Sequence, residues 1–290
     1  MNFQKGPLAA GIYLVGVPIG TARDITLRAL DVLASADVLA AEDTRSLRRL
    51  MEIHGVPLAG RRIRALHDHS GQIVGSELAR LAQGGASVAY ASEAGMPLIA
   101  DPGFELAQAA AELGVPVTSA PGPSAVTTAL AIGGLPTDAF HFGGFLQNAK
   151  SARRRALEEV ADVQATLVFY ESPKRLGALL QDARDVLGGD RQAAVCRELT
   201  KKFEEVRRGS LAELAEAYAD AKVKGEIVVL IDRRSVKIKE IDFESELKAA
   251  LNDMSMRDAV DAVSAAHDIP RRKVYQAALA LGKGDANETG

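Results

Sequence analysis

The chain has 290 residues, 47% hydrophobic and 25% charged, a composition that suits a folded protein of about two domains and excludes a disordered or fibrous chain. Lys and Arg number 35 against 38 Asp and Glu, a formal net charge of −3, so there is no uniform basic coat, although basic side chains can still gather locally. One cysteine excludes an internal disulfide framework and a cysteine-cluster metal site, and with aromatics at 4% and no Trp a broad base-stacking surface is not expected.

The first seven residues, Met1 to Pro7, carry no secretory apolar stretch, and no apolar run is long enough to span a bilayer. A soluble, cytoplasmic protein is expected. Residues 12–17 are β-branched and bounded by Gly and Pro, the signature of a buried strand. Residues 27–36 follow with apolar side chains at helical spacing, 38–41 form a second apolar run, and 45–53 read as a helix with basic residues on one side. Strands at 63–66, 87–91 and 115–119 alternate with helices at 73–82, 104–113 and 124–132. That alternation predicts α/β layers around a largely parallel sheet.

Near residue 140 the pattern changes. His141-Phe142-Gly143-Gly144-Phe145 is an aromatic segment broken by glycines, and a basic helix start follows at Arg153-Arg154-Arg155. A linker is placed at 134–150, between an N-terminal α/β domain at 1–133 and a second α/β domain at 151–233. The second domain reads as strands at 166–170, 193–199, 204–208 and 226–231 with helices at 175–187 and 211–221. Two consecutive strands around Lys201-Lys202 predict a hairpin and a mixed sheet. After a charged stretch, 244–251, 256–266 and 271–281 read as three short helices of a small C-terminal domain at 244–290.

Six segments could carry chemistry. Val17-Pro18-Ile19-Gly20-Thr21 is a strand-to-glycine turn of the kind found where ligands collect on an α/β sheet, but its spacing is not GxGxxG, so a dinucleotide fingerprint is missing. Glu42-Asp43-Thr44-Arg45 ends a buried strand with two acids and a base; it can be an active edge, or a helix start capped by Asp43 or Thr44. Residues 92–103 form a loop of small residues between two Gly/Pro turns, longer than an ordinary strand-to-helix connection. Small side chains there let a ligand reach the backbone. Pro121-Gly122-Pro123-Ser124-Ala125 opens an apolar helix, where Ser124 can cap and the helix terminus can attract an anion. Phe169 to Arg175 offers an aromatic for a base and the pair Lys174 and Arg175 for phosphate. Residues 224–231 are a strand opening on a turn.

Other clues are thin. His67-Asp68-His69 supplies two ligands without a third, a weak metal signal, and no metal is expected. Cys196 sits in an apolar strand and reads as a buried small residue. Arginine dominates four basic clusters: Arg45, Arg48 and Arg49; Arg61, Arg62 and Arg64; Arg153, Arg154 and Arg155; and Arg271, Arg272 and Lys273. Such runs are commonly solvated faces, but arginine suits bidentate phosphate contact, so RNA is a candidate partner.

In this order, the segments around Pro18, Thr26, Glu42, Gly95, Gly122, Pro136, Glu171, Glu198 and Gly225 resemble the tetrapyrrole methylase-like (class III) S-adenosylmethionine-dependent methyltransferases, and among them the small-subunit rRNA methyltransferase I family. The resemblance implies two α/β domains with a cofactor cleft between them, plus a small C-terminal helical appendage. It implies a homodimer acting on 16S rRNA in the small ribosomal subunit, with S-adenosylmethionine as cofactor and a cytidine ribose 2′-oxygen of the decoding centre as acceptor. Carried over by motif, cofactor contacts are expected from Pro18, Ala94, Gly95, Met96, Ile99, Ser124 and Ala125, and from Phe169, Leu199, Gly225, Glu226 and Ile227 of the second domain. Glu42 and Asp43 are the expected catalytic pair, with Arg45 orienting RNA and the basic clusters, Lys174 and Arg175 meeting phosphate. The chain departs from the usual pattern in three places: Glu93 and Met96 stand where the family has Asp and Thr, Thr21 where it has Asn, and His67-Asp68-His69-Ser70 where it has His-Glu-His-Asn. The alternatives are a small-molecule methyltransferase of the same fold, which leaves the arginine clusters unexplained, and a silent ribosome-binding factor.

Overall fold

Apolar strands alternating with amphipathic helices build, in the first half of the computed structural model, a five-stranded parallel sheet. The described residues are 3–67, 71–233, 243–267 and 269–284, and the chain divides into two compact units, Met1–Arg234 and Ser235–Gly290. In the first sheet β1 (Gly11–Val15), β2 (Val38–Ala41), β3 (Ile63–Ala65), β4 (Ser87–Ala91) and β5 (Val117–Ala120) take the order β3-β2-β4-β1-β5. Side chains alternate across the strands. Leu39, Ala41, Ala89 and Ala91 pack beneath α1 (Leu27–Ser35) and α2 (Thr44–Ile53), while Ala40, Val88 and Tyr90 pack against α3 (Gly71–Gln83) and α4 (Phe104–Glu112). With both faces covered, the carboxyl ends of the strands form one open edge.

The second sheet is mixed. β6 (Phe140–Phe145) runs parallel to β7 (Thr166–Glu171), and β10 (Ile227–Ile231), β8 (Gln192–Arg197) and β9 (Glu205–Ser210) complete the order β6-β7-β10-β8-β9 with antiparallel pairings. One face carries Leu167, Phe169, Val195 and Val229 against α6 (Lys150–Glu159), α7 (Leu176–Leu187) and α8 (Leu211–Ala217). The other carries Val168, Ala194, Cys196, Val228 and Leu230 against α5 (Ala125–Gly133) and Ile19. Gly133 lets α5 lie close, since a Cβ there would stand 2.3 Å from Leu230 Cδ1.

Two expectations change. Residues 140–145, read as linker because glycines break the aromatic pattern, form strand β6, whose glycines admit a bulge. Arg61, expected at RNA, is consumed by the fold: its guanidinium donates to the carbonyls of Leu33, Ala36, Pro57 and Leu58 at 2.7–2.9 Å.

The second unit holds α9 (Phe243–Asp253), α10 (Met256–His267) and α11 (Arg271–Gly284), packed through Leu247, Val260, Val263, Val274 and Ala278. Asp68, His69 and Ser70 of the histidine segment and the last six residues lie outside the described residues. Among the described residues no helix is long and apolar enough to cross a membrane.

Candidate active site

The loops that leave the carboxyl ends of the first sheet are short of side chains and pinned by backbone hydrogen bonds. Val17 and Gly95 exchange both N–H···O bonds, at 2.9 and 3.1 Å, tying the 92–103 loop to the end of β1. Gly95 takes φ +75°, a conformation that costs a glycine little. The far end is held by the Tyr90 hydroxyl, which donates to Pro102 O at 2.9 Å. Between these pins, Leu98 and Ala100 sit at φ +72° and +62°, strained for residues with a Cβ, and present Ile99 outward. Met96 reaches across so that the Gly122 N–H donates to its sulfur at 3.2 Å, coupling this loop to the turn before α5.

The second sheet supplies the opposite wall. Glu198 and Thr200 are also left-handed, at φ +52° and +62°, on either side of Leu199. Glu198 Oε1 accepts from the Glu226 N–H at 3.1 Å and from Lys201 Nζ at 2.9 Å, and these bonds hold its carboxyl below the ordinary range. Gly225 sits at φ +94°, strained for any residue with a Cβ, and a Cβ there would also press on the Glu198 carboxyl at 2.4 Å.

Between the walls lies a cavity of about 440 Å³, within the range that encloses a small ligand. Among the described residues, the charged side chains lining it are acidic: Glu42, Glu93, Asp101, Glu171 and Glu226. Glu42 Oε2 accepts the Glu93 N–H at 3.0 Å, bridging the ends of β2 and β4. Ser124 and Ala125 bring the start of α5 to the cavity, and Ser124 makes no capping bond to the helix through its side chain, leaving its hydroxyl to the cavity. Tyr170 lines the wall with its phenol pushed up to about 12, first by burial and then by the charge of Asp101, so it is a neutral phenol at physiological pH and no base. The Cys196 thiol is pushed up by burial to about 11 and is inert.

Of the residues expected at a cofactor, Ala94, Gly95, Met96, Ile99, Ser124, Ala125, Leu199, Gly225, Glu226 and Ile227 line this one cavity. Pro18 does not; its neighbour Ile19 does. Phe169 does not either. Strand alternation turns its ring into the apolar layer beneath α7, and Tyr170 faces the cavity instead. Asp43 is a helix cap rather than a cavity residue: its Oδ1 accepts from the N–H groups of Arg45 and Ser46 at 2.7 and 3.2 Å, which lowers its carboxyl below the ordinary range.

The arginines divide. Arg45, Arg48 and Arg49 lie exposed along α2, which starts two residues after Glu42, and the Arg45 side chain is 92% exposed. Arg62, Arg155, Lys174, Arg272 and Lys273 are also exposed. Arg64 pairs with Glu77, and Arg271 with Asp261. Arg153 is buried against Asp182 at 2.7 Å, and Arg154 contacts Asp182 and Asp185 at 3.4 Å. Arg175 donates to Gln147 O at 3.3 Å and lies 3.2 Å from Glu171, whose carboxyl is raised by burial despite that neighbour. Arg153 and Arg175 therefore hold the backbone after β6 and are withdrawn from the phosphate-contact set.

Sequence reasoning missed Ile19, Phe145, Tyr170 and Val228 as wall residues, and placed Glu93, Asp101 and Glu171 only among acids near strand ends. Strand parity accounts for Tyr170 in the structure: Leu167 and Phe169 share the face packed beneath α7, which leaves Val168 and Tyr170 for the other face.

Residues 11–215 match the family model Tetrapyrrole (Corrin/Porphyrin) Methylases, and residues 240–282 match the RsmI C-terminal HTH domain. Proteins called ribosomal RNA small subunit methyltransferase I are 43% identical in Mesorhizobium japonicum, covering 96% of this chain and 96% of the relative, and 41% identical in Vibrio cholerae, covering 91% and 93%. Among solved structures, diphthine synthase superposes with a TM-score of 0.58 at 15% identity, over 76% of this chain and 89% of that one. Uroporphyrin-III-C-methyltransferase from Thermus thermophilus gives 0.54 at 23% identity, over 76% and 94%. These two likenesses concern the fold alone.

Proposed function

The chain belongs to the tetrapyrrole methylase family and, within it, to the small-subunit rRNA methyltransferase I family, and from that membership we propose that it methylates the 2′-oxygen of a cytidine ribose in the decoding centre of 16S rRNA, using S-adenosylmethionine. One observation supports this most strongly: among the described residues the charges inside the cavity are acidic, while the helix that starts at its rim exposes three arginines. A cation is favoured within and a polyanion outside.

The chain's residues fit the cofactor. S-adenosylmethionine carries a sulfonium and an ammonium, which suit a ring of carboxylates, and when bound it supplies an activated methyl group. Its single carboxylate suits the N-terminal turn of α5 beside Ser124 and Ala125. Ala94, Gly95 and Gly225 bring backbone within reach, and Met96, Ile99, Leu199 and Ile227 give apolar walls. A polyphosphate or a polyanionic small molecule would meet, among the described residues, a lining whose charges are acidic, with Arg175 and Lys201 already engaged by Glu171 and Glu226, which disfavours the small-molecule reading.

The protein's part in the reaction is to align the ribose hydroxyl and take its proton. Glu42 suits the second task. Among the described residues no donor meets its Oε1, and its Oε2 is fixed by the Glu93 N–H. Glu42→Gln is expected to lower the methyl-transfer rate by about two to four orders of magnitude. Asp43→Asn, which keeps a good cap, is expected to cost under about 1 kcal/mol of stability and to leave the chemical step intact. Single-turnover transfer read beside urea unfolding checks both; equal rates for Glu42→Gln and wild type would remove Glu42 from the mechanism.

The exposed Arg45, Arg48, Arg49, Arg62, Arg155 and Lys174 are assigned to phosphate contact, with Arg272 and Lys273 of the second unit extending the footprint. Binding to small subunits should weaken with salt, and removing one phosphate-binding side chain should flatten the log–log slope by about 0.7 to 0.9. Arg48→Gln with Arg49→Gln is expected to flatten it by nearly two such steps without changing cofactor affinity. The working form in this reading is a cytoplasmic homodimer. Calorimetry tests the cofactor directly: saturable binding of S-adenosylmethionine is expected, and no heat and no competition by the demethylated product would refute the proposal.

A further inference from the structure

The Gly143-Gly144 pair in β6 has a consequence for the cavity. β6 and β7 pair in step as far as Phe142↔Val168, and then Phe145, not Gly144, stands opposite Tyr170. One extra residue has been inserted. Gly143 gives room to the Phe169 ring, since a Cβ there would lie 2.5 Å from Phe169 Cε1, and Gly144 takes φ +60°. In an unbulged strand Gly144 would share the face of Tyr170, and Phe145 would point into the layer that holds Phe169. The bulge reverses this. Leu146 enters that layer, 7% exposed, and Phe145 turns to the cavity, where its ring is 55% exposed.

The ring is braced. Its centroid lies 5.5 Å from that of Tyr170 at 63°, and Tyr170 lies 4.9 Å from Phe142 at 67°, so a row of edge-to-face contacts fixes it with one side open. By contrast Ile19, Gly95 and Ile227 of the same cavity are buried. Phe145 is therefore an outer-wall residue, reachable by a bulky group arriving from solvent.

Resting on the rRNA reading above, we propose that Phe145 is the platform on which the base of the acceptor nucleotide stacks. If the acceptor nucleotide is drawn out of the RNA to bring its ribose to this cavity, its base loses stacking on its neighbours, as for a flipped nucleotide. A braced, open aromatic face restores stacking on one side without hydrogen-bond readout. The bulge exists to aim it.

The test is steady-state methyl transfer to small subunits by the full chain carrying Phe145→Ala, Phe145→Leu or Phe145→Tyr, with calorimetry of S-adenosylmethionine alongside. Phe145→Ala and Phe145→Leu are expected to lose about tenfold to a hundredfold in kcat/KM for subunits with cofactor affinity unchanged, while Phe145→Tyr retains most of the activity. Unchanged kcat/KM in Phe145→Ala overturns the platform. So does a fall in cofactor affinity as large as the fall in kcat/KM, which would give the ring to the adenine of the cofactor. Phe145→Leu matching wild type would show that apolar bulk, not an aromatic face, is needed, and also overturns it. If wild type itself transfers no methyl to subunits while binding cofactor, the rRNA reading fails and the platform with it; transfer by wild type confines any failure to the platform.

Discussion

Gly122→Ala is expected to lower cofactor affinity on the order of a hundredfold. Gly16 and Gly122 cross backbone to backbone. A Cβ on Gly122 would stand 2.8 Å from Gly16 C and 2.9 Å from Gly16 Cα, and one on Gly16 would stand 2.6 Å from Gly122 N. No flexible side-chain end is there to move aside. The turn at 121–124 must instead retreat, carrying Ser124 and Ala125 from the cavity and pulling Gly122 N–H from the Met96 sulfur. Overpacking of this kind costs about 1–3 kcal/mol, which leaves a folded protein for calorimetry. Gly6→Ala, with open space around its Cβ, is the control and should bind as wild type. Wild-type affinity in Gly122→Ala would mean that the turn before α5 is not part of the cofactor site.

Arg153→Ala is expected to lose about 3–5 kcal/mol of stability in the first unit, whereas Arg155→Ala, two positions on, should stay within about 0.5 kcal/mol. The Arg153 and Asp182 side chains are only 6% and 3% exposed. The guanidinium donates to Asp182 Oδ2 through Nε at 2.8 Å and to Asn148 O through Nη1 at 3.1 Å. Truncation leaves the buried Asp182 carboxylate with only the longer contact to Arg154, at 3.4 Å, and the Asn148 carbonyl without its donor. Arg153→Lys keeps the charge but not the fork, so it should recover only part of the loss. Urea midpoints measure all three. Equal, small effects for Arg153 and Arg155 would restore the pair to the RNA-facing surface.

How far the sequence was legible follows from the same details. Strand–helix alternation exposed nearly every element, and the small-residue runs at 92–103 and 121–125 pointed to the cavity edge, because such loops have little reason to exist in a packed core. Parity was harder. Choosing Phe169 over Tyr170 requires knowing which face of β7 looks toward the first sheet, and a single strand buried on both faces does not say. The bulge in β6 hid a strand behind two glycines and moved Phe145 to a face that simple alternation denies it. Arginine clusters misled most. Composition cannot distinguish Arg155, which is solvated, from Arg153, which meets Asp182 from 29 positions along the chain. Asp43 went to the capping reading for a local reason: the N–H groups of Arg45 and Ser46 at the start of α2 lie within hydrogen-bond reach of its carboxylate.

The most direct measurement is transfer of labelled methyl from S-adenosylmethionine to purified small subunits lacking the modification, followed by nuclease mapping of the labelled nucleotide. Label on the ribose of a cytidine in the decoding centre is the predicted result. Label on a base, on RNA elsewhere, or on no RNA at all despite measured cofactor binding would contradict it.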